Sequence, residues 1–327
     1  VKRGLRALLT PAVVLTALVF VFLALREDGP EAVRALARPE AAPLLAAAVV
    51  TNVAGLVLAV HAWRVLIPGD HAVRGLYAAR IYFLGQLSKY IPGRVWGVLT
   101  HVAHGRAAGV PGAQMTSAYV LSLALTLLTG TGVALLAAPA AMPGSWPWML
   151  LPALALAACV VRPALATRPL TALADRLRRP VLAPDDRAVR RAMLLAVAAW
   201  LVSGAHLWFV VLALDAPVWR STGPAVGAFA LATVVSSLAL IVPDGWGVRE
   251  LTITAALSAV LPGGVAVTAA LASRLVCVVA ELGSSAVVLA WSRFRGAPDL
   301  PPTARPATAR PASPHSVTPM GETRVHP

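Results

Sequence analysis

Several stretches of this chain run for about 18 residues or more with almost no charge, the length that reads as a membrane span. They lie at about Ala7 to Leu25, Pro43 to Leu66, Gln114 to Ala138, Ala192 to Leu214, Ala225 to Val242 and Ala266 to Trp291, with shorter runs at Trp148 to Val161 and Leu251 to Leu261. In hydrocarbon no water can satisfy a backbone N–H or C=O, so segments this long and greasy must close their hydrogen bonds within themselves as helices. Composition agrees: 58% of the 327 residues are hydrophobic and 13% charged, against about 25% charged in a soluble domain. The chain reads as an all-α polytopic membrane protein.

A net charge of +14 would suit nucleic acid, but its distribution argues otherwise. The surplus is mostly arginine in loops and tails, where it orients membrane proteins and meets anionic headgroups, so no nucleic-acid partner is expected. Lys2, Arg3 and Arg6 precede the first apolar run, which is too long for a signal peptide and lacks a small-residue cleavage site, so it reads as a retained span. Arginines also crowd the central loop (Arg162, Arg168, Arg176, Arg178, Arg179, Arg187, Arg190, Arg191) and the tail from Arg293 onward. These regions are expected on the cytoplasmic side of the cell membrane, both termini included, with loop 215–223 facing outward. Residues 1–295 form the expected membrane domain. Residues 296–327, rich in Pro, Ala, Thr and Arg, form an expected disordered tail.

Two short segments break the apolar pattern. Gly85-Gln86-Leu87-Ser88-Lys89-Tyr90-Ile91-Pro92-Gly93-Arg94-Val95-Trp96-Gly97 lies in the first half, and Ile241-Val242-Pro243-Asp244-Gly245-Trp246-Gly247-Val248-Arg249-Glu250 in the second. Each sets an aliphatic-Pro pair, glycines, a Trp and ionised residues inside greasy sequence. Paired interruptions of this kind in the two halves point to a binding site at the bilayer midplane. The loop charges have them entering from opposite sides, giving about six full spans plus two re-entrant or broken segments in an inverted arrangement. In the second segment Pro243 ends a helix and Asp244 can cap the next, whose free N–H groups would favour an anion. Arg249 and Glu250 fall in its first turns and either serve a site, pair with other helices, or sit at the interface and snorkel. In the first, Gln86 and Lys89 share a face, and Lys89, Arg94 and Tyr90 offer what a phosphate headgroup needs. The same residues with Trp96 would also serve as interfacial anchors.

Arg274 and Glu281 lie seven residues apart in the last run, near one face of a helix, and Arg274 could pair with Glu250 or Glu281. His101 and His104 lack a third ligand, so they read as interfacial loop residues rather than a metal site. His61 and His206 read as bonding to neighbouring helices, and Cys159 and Cys277 as inert helix residues. Thr126, Thr129, Gly130, Thr131 and Gly132 read as a packing surface. No catalytic, phosphate-loop or metal motif appears, so no cofactor is expected.

At Gly85–Trp96 and Pro243–Glu250, with Arg274 as further support, the sequence resembles the flippase-like integral membrane family, also described as the lysylphosphatidylglycerol synthase transmembrane region. The resemblance implies a bacterial lipid translocase or a protein of similar fold, with a membrane phospholipid or other lipid headgroup as partner. Its site would comprise Gln86, Lys89, Tyr90, Pro92, Gly93, Arg94, Pro243, Asp244, Gly245, Gly247, Arg249, Glu250 and Arg274. In fused members a soluble synthase domain aminoacylates the lipid. The residues here leave no room for one, so the expectation is transport without catalysis. The alternatives are an intramembrane transferase acting on a lipid, with Glu250 or Asp244 as base, and a non-catalytic scaffold.

Overall fold

The structure is a computed structural model and describes residues 34–67, 73, 75–90, 95–141, 144, 147–176, 184–239 and 245–294. These all belong to one compact unit, Val1–Ala297. The first apolar run and the tail 296–327 lie outside the described residues, as do Ile91–Arg94 and Leu240–Asp244.

Every regular element among the described residues is helical. In chain order they are α1 (Ala42–Arg64), α2 (Gly75–Leu87), α3 (Val95–Ala107), α4 (Gly112–Ala141), α5 (Pro147–Val161), α6 (Ala164–Arg176), α7 (Asp186–Ala213), α8 (Val218–Leu238), α9 (Val248–Leu257) and α10 (Gly263–Phe294). Among the described residues, five stretches are long and apolar enough to cross a membrane: Pro39–Arg64, Gly112–Ala138, Asp186–Ala213, Val218–Leu238 and Gly263–Phe294. The outward side chains fit that reading. Val50, Leu151, Leu201, Leu275 and Val287 are all exposed, an apolar coat that hydrocarbon would cover rather than water.

α1 lies along α7, α8 packs on α4 and α7, and α9 is held between α8 and α10. The α1–α7 crossing depends on Gly55, where a Cβ would stand 1.9 Å from Ser203 Oγ. Close approach through small residues is how membrane helices gain van der Waals contact when lipid is as apolar as they are. The Thr126–Gly132 stretch does the same for α7. Trp200 lies over Gly130 and its Nε1–H donates to Thr126 O (3.2 Å) and Thr129 Oγ1 (3.1 Å). A large core forms from Trp200, Leu207, Val210, Phe229, Ile253 and Leu257. A second gathers Trp63, Ile81, Met115, Leu121 and Met193 around α2 and α4.

Several boundaries differ from the sequence reading. The central arginine-rich region is not all loop, because residues 164–176 form α6, with Leu165 and Arg168 both exposed. The loop expected at 215–223 is mostly helix. A tight turn at Leu214–Asp215, with Asp215 at φ 61°, and Pro217 as N-cap let α8 start at Val218. Its polar first turns, Arg220-Ser221-Thr222-Gly223, looked like loop composition. Chain direction at α7 is set by Asp185, whose side chain accepts from Ala188 N at 2.9 Å, an N-cap contribution of about 1 kcal/mol. One turn on, Arg190 donates to Val160 O (2.8 Å) and Val161 O (3.2 Å), closing carbonyls that the end of α5 leaves open.

Candidate functional site: a cavity between the broken helices

The first break follows from local chemistry. α2 ends at Leu87 and tightens into a 3-10 turn over Ser88–Tyr90, with Ser88 Oγ donating to Gly85 O at 2.5 Å. Pro92 then disfavours helix at the residue before it and has no N–H to continue the ladder. The turn points Lys89 at α10, where Nζ donates to Glu281 Oε1 at 2.6 Å. Gln86, one turn earlier, lines the same cavity. Tyr90 belongs to the turn, while Pro92, Gly93 and Arg94 lie outside the described residues.

The second break is capped differently from the sequence expectation. The N-cap of α9 is Gly247, at φ 79°, not Asp244. A capping group must adjoin the first helical residue, here Val248, and the positive φ at Gly245 and Gly247 turns the chain so that Gly247 takes that place. The cap acceptor comes from inside the helix. Glu250 Oε2 accepts from Gly247 N at 2.7 Å, and Glu250 Oε1 accepts from Arg274 Nη1. The Arg274 guanidinium also stands 4.5 Å from the centre of the Trp246 ring. Pro243 and Asp244 lie outside the described residues.

Arg249 turns away from this layer. Its Nη2 donates to Cys277 Sγ at 3.1 Å and its guanidinium lies 5.1 Å from the Phe229 ring centre. Arg249 and Glu250 are each 6% exposed, so neither snorkels to an interface. Of the two pairings open to Arg274, the structure makes the one with Glu250, and Glu281 takes Lys89 instead.

Between these elements lies a cavity of about 280 Å³. Gln86, Lys89 and Arg249 line it. Gly245, Gly247, Glu250 and Arg274 do not, and instead form the layer that holds α9. Among the described residues, the charged groups on the wall are Lys89, Arg249 and Glu281, a surplus of cations over carboxylates that favours an anion there. Burial strengthens that preference, because a charge removed from water needs a partner.

Sequence reasoning missed part of the wall. Cys277 is no inert helix residue: beside the Arg249 contact, its Sγ accepts from Asn52 Nδ2 at 3.4 Å. His206 Nδ1 donates to the Ser203 carbonyl, leaving Nε2 to accept from Ser273 Oγ at 2.7 Å. That agrees with the expectation of a bond to a neighbouring helix. His61, by contrast, is exposed and bonds Val57 O in its own helix at 2.8 Å. His101 and His104 lie on α3, not in an interfacial loop, and His101 is buried on the cavity wall. The sequence signal for these residues was a polar group inside an apolar run, as at Asn52, but nothing local said which faced the cavity. Among the described residues no cluster of His, Cys, Asp and Glu is suited to a metal ion.

No curated protein matches the chain. The family model described as the lysylphosphatidylglycerol synthase TM region matches residues 8–282, which takes in both broken segments, the cavity and Arg274. Covering well over half of the sequence, that match identifies this multi-pass helical chain as a member of the lysylphosphatidylglycerol synthase transmembrane-region family, a lipid-related membrane family.

Proposed function

We propose that this protein is a translocase that moves an anionic or zwitterionic lipid across the bacterial cytoplasmic membrane, with the headgroup passing through the cavity. The observation that carries the reading is the pair of cations, Lys89 and Arg249, brought to one buried cavity from the two broken segments. Lys89 is held by Glu281. An entering phosphate joins the Glu281 carboxylate at Lys89 Nζ, whose ammonium has N–H donors for both, and takes a second, charge-assisted contact from Arg249. Two cations then face two anions, which matters because an unpaired ion there costs several kcal/mol.

The broken segments support a re-entrant, inverted arrangement. α2 and α3 have 13 residues each and α9 has 10, lengths of about 20 Å and 15 Å at ~1.5 Å per residue. Both fall short of a hydrocarbon core of about 30 Å. Half-helices that end near the cavity direct N–H or C=O termini towards it, as broken helices do in transporters. The intramembrane-transferase alternative needs Glu250 or Asp244 as base. Glu250 stands off the cavity with both oxygens engaged, which favours transport.

The test is leaflet exchange of labelled lipids by the purified protein in liposomes. Lys89→Ala and Arg249→Ala should each slow movement of phosphatidylglycerol at least tenfold while the protein stays folded, and Arg249→Lys should restore part of it. Arg220→Ala, on an exposed first turn of α8, should change little. Wild-type rates in both cavity variants would refute the site. A change in lipid mass without exchange would turn the reading to the transferase.

A further inference from the structure

One end of the cavity carries a mismatch that the phosphate reading does not use. Trp63 and His101 both line it, with ring centres 5.1 Å apart and planes at 77°. Tyr119 closes on His101 at 4.7 Å and Tyr82 on Trp63 at 5.9 Å. Trp63 and His101 are 1% and 3% exposed. Yet Trp63 Nε1 and His101 Nε2 find no hydrogen-bond partner among the described residues. A buried polar atom without a partner is costly, so native structures rarely keep one without a reason.

The two atoms make opposite demands. An indole N–H can only donate. His101 spends its Nδ1–H on Gly97 O at 2.8 Å, so its Nε2 carries a lone pair and can only accept. A phosphate oxygen would answer the tryptophan alone, and an ammonium the histidine alone. A hydroxyl answers both, accepting from Trp63 and donating to His101. We infer that Trp63 and His101 form a hydroxyl-recognition end of the cavity, selecting a lipid whose headgroup bears an alcohol beyond its phosphate. The aromatic walls suit the C–H face of a glycerol or sugar, while Lys89 and Arg249 hold the phosphate. This rests on the headgroup reading of the cavity and adds the substrate class to it.

The experiment measures retention rather than transport, so that it can fail separately. Purified full-length protein in detergent micelles is offered phosphatidylglycerol and phosphatidylmethanol, which share the phosphate charge and differ in the headgroup hydroxyls, and bound lipid is counted by native mass spectrometry. The wild-type protein should retain phosphatidylglycerol about tenfold over phosphatidylmethanol, the scale of two net hydrogen bonds. Trp63→Phe and His101→Phe should each shrink that ratio several-fold while leaving phosphatidylmethanol retention unchanged, which also reports that the variants are folded. Equal retention of the two lipids by the wild-type protein overturns the hydroxyl site, leaves the phosphate site standing and means that the pair hosts only a water. Retention of neither lipid overturns both.

Discussion

Glu250 offers the sharpest separation between a residue that builds the site and one that works in it. Its carboxylate does two jobs away from the cavity: one oxygen accepts from Arg274 and the other from the Gly247 N–H that opens α9. The side chains of Arg274 and Glu250 are 13% and 8% exposed, so Glu250→Ala takes a carboxylate away from a largely buried guanidinium. Breaking a buried pair from one side costs about 3–5 kcal/mol, and losing the cap acceptor adds about 1 kcal/mol. The Trp246 ring stays against Arg274 with or without the carboxylate, so its cation–π contact cancels from the difference. A net loss of about 4–6 kcal/mol should lower the melting temperature by roughly 8–24 °C, on the scale of a domain of this size. Glu250→Gln keeps an acceptor for the cap and should fall between Ala and wild type. The double variant Glu250→Leu/Arg274→Leu removes both charges together and should recover most of the loss. Its lipid exchange should stay near wild type, because neither residue lines the cavity. The assay is thermal unfolding in detergent at one fixed scan rate, since unfolding of such proteins is often irreversible. A Glu250→Ala protein melting within about 2 °C of wild type, or a double variant no better than the single, would refute the structural assignment. A stable double variant without lipid exchange would restore Glu250 to the functional site.

Two further outcomes follow from the structure and the sequence. At Gly85 an added Cβ would stand 2.0 Å from His101 Cε1, so Gly85→Ala must displace the imidazole. It should cost about 1–3 kcal/mol by overpacking and reduce the preference for hydroxyl-bearing lipids, and unaltered melting and selectivity together would show that His101 is not fixed there. For topology, Asp186→Cys at the exposed start of α7, in a Cys159→Ser background, should be labelled by an impermeant maleimide only from the cytoplasmic side, given the arginine excess around it. Labelling from the outside would invert the proposed arrangement.

Much of this protein is a local matter and was legible in the chain. Apolar runs without charge can close their backbone bonds in lipid only as helices, and five described helices have that length and composition. The helix α2 ends at Leu87 and tightens over Ser88–Tyr90, just before the Ile91-Pro92 pair in the sequence, and Arg249 and Glu250 fall in the first turn of α9 as the Gly/Pro punctuation implied. What the chain alone left open was partnership. Arg274 and Glu281 share a face of α10, but seven residues of helix separate them by about 10 Å along the axis, too far for an ion pair between their head groups without long reaches. Each therefore looks outward, and its partner is whatever another helix delivers. Packing of α9 brings Glu250 to Arg274, and packing of α2 brings Lys89 to Glu281 across 192 residues of sequence. The same holds for His101, whose place on the cavity wall depends on α3 meeting α2 at Gly85. Spacing sets which side chains share a face, but only the helix crossings decide which faces meet, and the charge balance of the cavity is a property of those crossings.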